Sequence, residues 1–161
     1  KYYEFDIHPY FVKAFKKRWY VVAYSPGTDD IRCYALDRME NVIISDKVFK
    51  MPKDLEPAEY FKDCFGIINN KDSEAQKVVL KVDAFQSNYI RNLPLHESQK
   101  EMKRTDEYSI FEYHLKPEFD FEQEIFFNMD TMEVLEPQWL REEVSERLRN
   151  LAKKYKICPS S

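Results

Sequence analysis

The segments Arg18-Trp19-Tyr20-Val21-Val22-Ala23-Tyr24 and Arg32-Cys33-Tyr34-Ala35-Leu36-Asp37-Arg38 decide the reading of the first half of this chain. Both alternate with a period of two, as a strand with two unlike faces does. Arg18, Tyr20, Val22 and Tyr24 share one face of the first, and Arg32, Tyr34, Leu36 and Arg38 share one face of the second. Ser25-Pro26-Gly27-Thr28-Asp29-Asp30 between them has the residues of a turn. A hairpin of the two strands is expected to gather guanidinium groups and phenol rings on a common surface. That chemistry suits an anion attached to a flat ring, such as a nucleotide.

Working outward, Tyr2 to Phe15 reads as two short strand pieces around His8-Pro9, residues 16–17 as a basic turn, and Val42-Ile43-Ile44 as a further short strand. Short strands at close spacing predict a small β-barrel. Glu56 to Phe65 predicts a short helix stopped by Gly66, and the polar stretch 69–74 marks a domain boundary. The rhythm then changes. Lys77 to Asp83 is a strand with Val78, Leu80 and Val82 on one face, and Ala84 to Leu93 is a helix. Gln99 to Arg104 and Tyr108 to Lys116 are strands, Phe121 to Asn128 is a helix, and Met132 to Pro137 is a strand. Gln138 to Tyr155 is the longest helix, with Trp139, Leu140, Val144, Leu148 and Leu151 as its apolar stripe. The order β-α-β-β-α-β-α predicts a ferredoxin-like α+β sandwich. The expected fold class is therefore mixed β and α+β, with domains at 1–68 and 76–161.

Composition excludes several functions. The two glycines, Gly27 and Gly66, rule out a dinucleotide fingerprint and a P-loop. No helical His pair with zinc spacing, Cys-x-x-Cys or Gly-x-Ser-x-Gly occurs, so no enzyme, metal or cofactor is expected. Cys33, Cys64 and Cys158 are an odd, widely spaced set that suits reduced thiols in a cytoplasmic protein. No apolar run approaches a membrane span and no signal peptide is visible. The first residue is Lys1, and the chain is expected to be part of a longer protein. Net charge is −4, yet residues 8–20 carry Lys13, Lys16, Lys17 and Arg18 and no acid. A basic strip on a mildly acidic body argues for a local anion site.

Arg18-Trp19-Tyr20-Val21, with His8-Pro9-Tyr10 before it and Leu36-Asp37-Arg38 after it, resembles the WYL domain, Val21 standing where that family usually has Leu. Pro94-Leu95-His96-Glu97-Ser98-Gln99 and Val134-Leu135-Glu136-Pro137-Gln138-Trp139-Leu140-Arg141 resemble the WCX extension that often follows it. The resemblance implies an Sm- or SH3-like barrel in a bacterial transcription regulator, which senses nucleic acid or nucleotide-like ligands. It also implies homodimers, and operator DNA held by an N-terminal helix-turn-helix that lies outside this sequence.

Each candidate residue has a plainer reading beside the functional one. Arg18, Arg32 and Arg38 either grip phosphate or form surface ion pairs with Asp37, Glu40 or Asp30. Tyr10, Tyr20, Tyr24 and Tyr34 either stack on bases or pack. His8 either donates to a phosphate or lines the barrel. Lys13, Lys16 and Lys17 either extend the path of a strand or are a charged turn, and Trp19 is expected in the core. The expected ligand set is His8, Tyr10, Arg18, Tyr20, Arg32, Tyr34 and Arg38, for a short single-stranded nucleic acid or a nucleotide. The alternative is an assembly module whose exposed face is a protein interface, with no small ligand.

Overall fold

The computed structural model describes residues 3–157, so Lys1, Tyr2 and Cys158 of the sequence reading lie outside the described residues. It divides into two compact units. The first holds the chain up to Lys62 together with Gly66–Asn69, and the second holds Asp63–Phe65 and the chain from Asn70 onward.

The first unit is a three-stranded antiparallel sheet in the order β1-β2-β3, from β1 (His8–Phe15), β2 (Arg18–Ser25) and β3 (Asp30–Ala35). Tyr2 to Phe15 was expected as two strand pieces, but His8–Phe15 is a single strand. A register shift between Pro9 and Phe11 accommodates the proline, which has no N–H to give the ladder. β2 is buried on both faces, through Val21, Val22, Ala23 and Ser25. Against the face of Val22 lie the short helix α1 (Pro57–Tyr60) and the chain after it. The Phe11 ring meets Tyr60 and Phe61 edge-on, Lys13 Nζ sits 4.4 Å from the Phe61 ring centre, and Cys33 Sγ donates to the Ile67 carbonyl at 3.1 Å.

Three further expectations fail in this unit. The second hairpin strand stops at Ala35, and Leu36–Arg38 winds into a single 3₁₀ turn. Val42, Ile43 and Ile44 form no strand and stand 75%, 85% and 97% exposed, because Asn41, at φ 53°, turns the chain aside just before them. The helix expected over residues 56–65 spans only Pro57–Tyr60, since Cys64 is drawn into a bridge with Lys116. With three strands the sheet stays open, and the described residues form no closed barrel.

The second unit follows the expected element order. It comprises β4 (Gln76–Asp83), α2 (Ala84–Asn92), β5 (Lys100–Arg104), β6 (Tyr108–Leu115), α3 (Phe119–Phe127), β7 (Met132–Glu136) and α4 (Gln138–Lys154). Its four strands lie in the order β5-β6-β4-β7, every neighbouring pair antiparallel. Val78, Leu80 and Val82 point to one face, as their spacing predicts. There they join Phe111, Tyr113, Leu115, Ile90, Phe121, Ile125 and Leu140 in a closed core. Leu140 and Val144 of α4 reach that core, whereas Trp139 does not share their stripe. It stays exposed and donates Nε1–H to Gln76 at 2.9 Å.

Segment 94–99 is a polar lock. Gln99 Oε1 accepts from the Tyr113 hydroxyl at 3.0 Å and from the Leu95 N–H at 3.1 Å, and Gln99 Nε2 donates to the Ile90 carbonyl at 2.9 Å. Burial pushes the Tyr113 phenol well up, so it stays a neutral donor. Ser98 Oγ lies 2.7 Å from His96 Nδ1 and accepts from the His114 N–H. Replacing Gln99 with Leu orphans buried partners, so it should cost about 1–3 kcal/mol. Urea unfolding is expected to show a lower midpoint at an unchanged slope.

On the same unit Arg91 forks onto Glu101, with Nε at 2.9 Å and an Nη at 2.7 Å, and donates to Ser109 as well. The guanidinium's hydrogen bonds lower the Glu101 carboxyl from 4.5 to about 2. A depressed folded-state value means this stabilisation is complete above about pH 4.5 and is lost as pH falls toward 2. The stability difference between the parent and Arg91→Ala is therefore expected to shrink over that window. Glu101 in the variant should titrate near its ordinary value by NMR.

Candidate functional site

The register of β2 with β3 sorts the candidate side chains. Val21 lies opposite Tyr34, Ala23 opposite Arg32, and Tyr20 opposite Ala35. Residues directly opposite each other in an antiparallel pair share a face. Arg32 and Tyr34 therefore project with Trp19, Val21 and Ala23, while Arg18, Tyr20 and Tyr24 project to the other side. The common surface expected of all seven residues does not form. Extending the alternation across the turn placed both sets together, but the pairing is offset by one residue from that assumption. Arg38, expected to continue the strand, sits on the 3₁₀ turn.

On the Tyr20 face, His8 pairs with Tyr24 at one end of the hairpin. The His8 ring lies flat on Phe49, centres 4.7 Å apart and planes 4° from parallel, and is tilted against Tyr24 at 5.4 Å. Tyr10, next to the strand irregularity, reaches Phe49 at 6.1 Å. The segment carrying Phe49 is tied back by an ion pair between Lys47 and Asp6, which holds the Asp6 carboxyl below its usual range. Tyr24 donates its hydroxyl to Asp29 at 2.7 Å, and this hydrogen bond raises the phenol's pKa, since a phenolate would face the carboxylate. Arg18 is matched within the protein, its Nε 3.1 Å from Asp37. This face is a packed aromatic cluster with its own acids in place.

The Trp19 face differs. Arg32 on this face and Arg38 on the 3₁₀ turn are exposed, and neither forms an ion pair among the described residues. Tyr34 is half-buried with its ring 5.3 Å from Phe5. Phe5 is 54% exposed and Trp19, expected in the core, is 57% exposed. Trp19 pairs with Ala14 on the edge strand, and so small a neighbour cannot cover an indole. Unpaired guanidiniums beside accessible rings can bind phosphate and stack on a base. Among the described residues no group of three or more His, Cys, Asp or Glu could hold a metal ion.

Sequence reasoning missed Phe49, Phe5 and the exposure of Trp19. Phe49 lies in a stretch without periodicity, which gives no signal. The face of Trp19 was legible, since it alternates with Val21, but the neighbour that leaves it bare was not.

Comparison with known proteins agrees with the sequence motifs. The WYL domain family matches residues 1–44 and the WCX domain family matches residues 74–152. No curated protein sequence matches the chain. Among solved structures the chain is similar to proteasome accessory factor B/C (PafBC) of Arthrobacter aurescens, at 18% identity and a TM-score of 0.39. That alignment covers 96% of this chain and 23% of PafBC, so the chain spans about a quarter of its length.

The β1–β2 turn closes in two residues, Lys16 at φ 45° and Lys17 at φ 64°. Both are left-handed, the conformation that tight hairpins give to Asn-Gly. Changing Lys16→Asn together with Lys17→Gly should stabilise the chain by about 1 kcal/mol by relieving that strain. The check is a higher thermal midpoint with an unchanged circular dichroism spectrum.

Proposed function

We propose, because the chain belongs to the WYL-domain proteins that carry a WCX extension, that it is the effector-sensing region of a bacterial transcription regulator. The first unit binds a phosphate-bearing ligand, a short single-stranded nucleic acid or a nucleotide, and performs no chemistry on it. The contacts assigned are His8, Tyr10, Arg18 and Tyr20 from one side of the sheet, Arg32 and Tyr34 from the other, and Arg38 from the turn. The observation that carries this reading is the pair of exposed arginines, Arg32 and Arg38, without ion pairs among the described residues. Planar guanidinium forks suit phosphate oxygens.

In this reading strands β1–β3 are part of an Sm-like barrel. The second unit is a ferredoxin-like sandwich, which its strand order β5-β6-β4-β7 supports. The regulator is a cytoplasmic homodimer, and the ligand acts on a helix-turn-helix outside this sequence. To do so it must bind two arrangements of the dimer with unequal affinity. No described helix is long and apolar enough to cross a membrane.

One observation favours the assembly-module reading instead. Val42, Ile43, Ile44 and Val48 form a run of exposed apolar side chains, which marks an interaction surface as readily as a loop. Oligonucleotide titration at low salt separates the two readings. Binding by the parent chain is expected, reduced about tenfold or more by Arg32→Glu with Arg38→Glu, at an unchanged melting midpoint. Each phosphate contact removed should flatten the dependence of affinity on salt by about one unit. A parent chain that binds no oligonucleotide leaves the assembly reading standing.

A further inference from the structure

We infer that segment 45–49 is an autoinhibitory strap: it lays the Phe49 ring on His8, in the place of a ring of the ligand, and must lift before the His8 end of the Tyr20 face can bind. The inference rests on the reading of His8 and Tyr10 as ligand contacts. It goes further by giving that site a closed state built from the protein's own residues. It also assigns a role to Lys47 and Phe49, which no motif nominated.

The segment is attached at few points. Residues 39–56 hold no strand or helix, so no backbone ladder ties them to the sheet. From Glu40 to Asp54 every residue is exposed except Phe49. A segment that served only to cover the sheet would turn its β-branched side chains inward, yet Val42, Ile43, Ile44 and Val48 stay bare and a single ring goes in. The second anchor is the ion pair of Lys47 with Asp6, whose side chains are 75% and 56% exposed. Such a pair contributes little in water and is screened by salt. One half-buried ring and one surface ion pair make a contact that opens at low cost.

What the strap covers is what a ligand would need. The His8 ring has Tyr24 tilted against it at 5.4 Å and Phe49 laid flat on it at 4.7 Å, with planes 4° from parallel. A flat ring brought in by a ligand would take that same parallel position, and Tyr10 reaches the Phe49 ring at 6.1 Å. The cation of this face is taken in the same way. Arg18 Nε lies 3.1 Å from Asp37, a carboxylate standing where a phosphate would. Both stand-ins come from the chain after β3, Asp37 from the 3₁₀ turn and Phe49 from beyond it.

A closed state of this kind gives binding a structural consequence. A ligand that needs the strap lifted binds the open arrangement alone, so it shifts the population toward that arrangement. Its apparent affinity is lowered by the fraction of time the site stands open. Weak anchors suit such a device, since a strap held by a fully buried contact would not yield to a ligand.

The probe is a short oligothymidylate at low salt, read by fluorescence anisotropy. A strap closed about nine-tenths of the time lowers apparent affinity about tenfold, so Phe49→Ala is expected to bind about tenfold more tightly than the parent. Phe127→Ala, which removes an 82% exposed ring from the second unit, should leave affinity unchanged. With para-fluorophenylalanine at position 49, the fluorine resonance should move to its solvent-exposed value as the oligonucleotide saturates the chain. Should Phe49→Ala lower the melting midpoint, Phe49→Leu keeps an apolar side chain without a ring to stack and should also bind more tightly than the parent. Unchanged or weaker binding in both variants, or a fluorine resonance that stays in place in the bound state, overturns the strap while the ligand reading stands. Binding by neither the parent nor the variants overturns both.

Discussion

Much of the first unit's chemistry depends on the register between β2 and β3. Side chains alternate with a period of two, so slipping the pairing by one residue would exchange the faces of Arg32 and Tyr34 with those of Cys33 and Ala35. Two things hold the register. The four-residue turn is closed by the Thr28 N–H donating to the Ser25 carbonyl at 3.1 Å. Asp29, left-handed at φ 51°, takes the Tyr24 hydroxyl at 2.7 Å, which ties the turn to the strand that leads into it. Burial of Val21, Val22 and Ala23 makes any slip costly on both faces at once. The separation of Arg18, matched by Asp37, from Arg32, which forms no ion pair among the described residues, follows from that pairing.

The second unit meets a different constraint. Its core lies on one face of a four-stranded sheet, so Val78, Leu80 and Val82 can be read directly as inward. Buried polar groups there are satisfied by a short loop, with Gln99 serving Tyr113, Leu95 and Ile90. Without that glutamine the tyrosine hydroxyl would be buried unpaired. The Pro94-to-Gln99 motif that resembles the WCX domain thus has a structural explanation that needs no ligand.

Legibility of the fold in the sequence tracked how local the deciding interaction was. Every strand and helix of the second unit appeared where the sequence put it, to within two residues or so, and the buried ones have a clear apolar face, although β5 is exposed along its whole length. Asp83, whose carboxylate accepts the Gln86 N–H at 2.7 Å, caps α2. Val42-Ile43-Ile44 misled, since β-branched residues favour strands but a strand also needs a partner edge, and that depends on the whole chain. The candidate site failed at the same point. Its members were individually legible, but whether Arg32 joins Arg18 depends on a one-residue register that period two leaves undetermined. Phe49, stacked on His8 from 41 residues away, has no local signal at all.

The strained turn bears on why an open face exists. Two successive lysines in the left-handed region each cost on the order of 1–2 kcal/mol, and each could be replaced by residues that fit that conformation. The turn therefore trades stability for positive charge next to Trp19. An exposed indole is a second unfavourable choice for a free protein, and two arginines without carboxylate partners are a third. Trp19 and Arg32 share one face, while Arg38 and the two lysines sit on turns. Under the proposed function, phosphate would answer the unpaired arginines. A ligand gains differential affinity, and with it the power to shift an equilibrium, from those features that the unliganded state leaves unsatisfied.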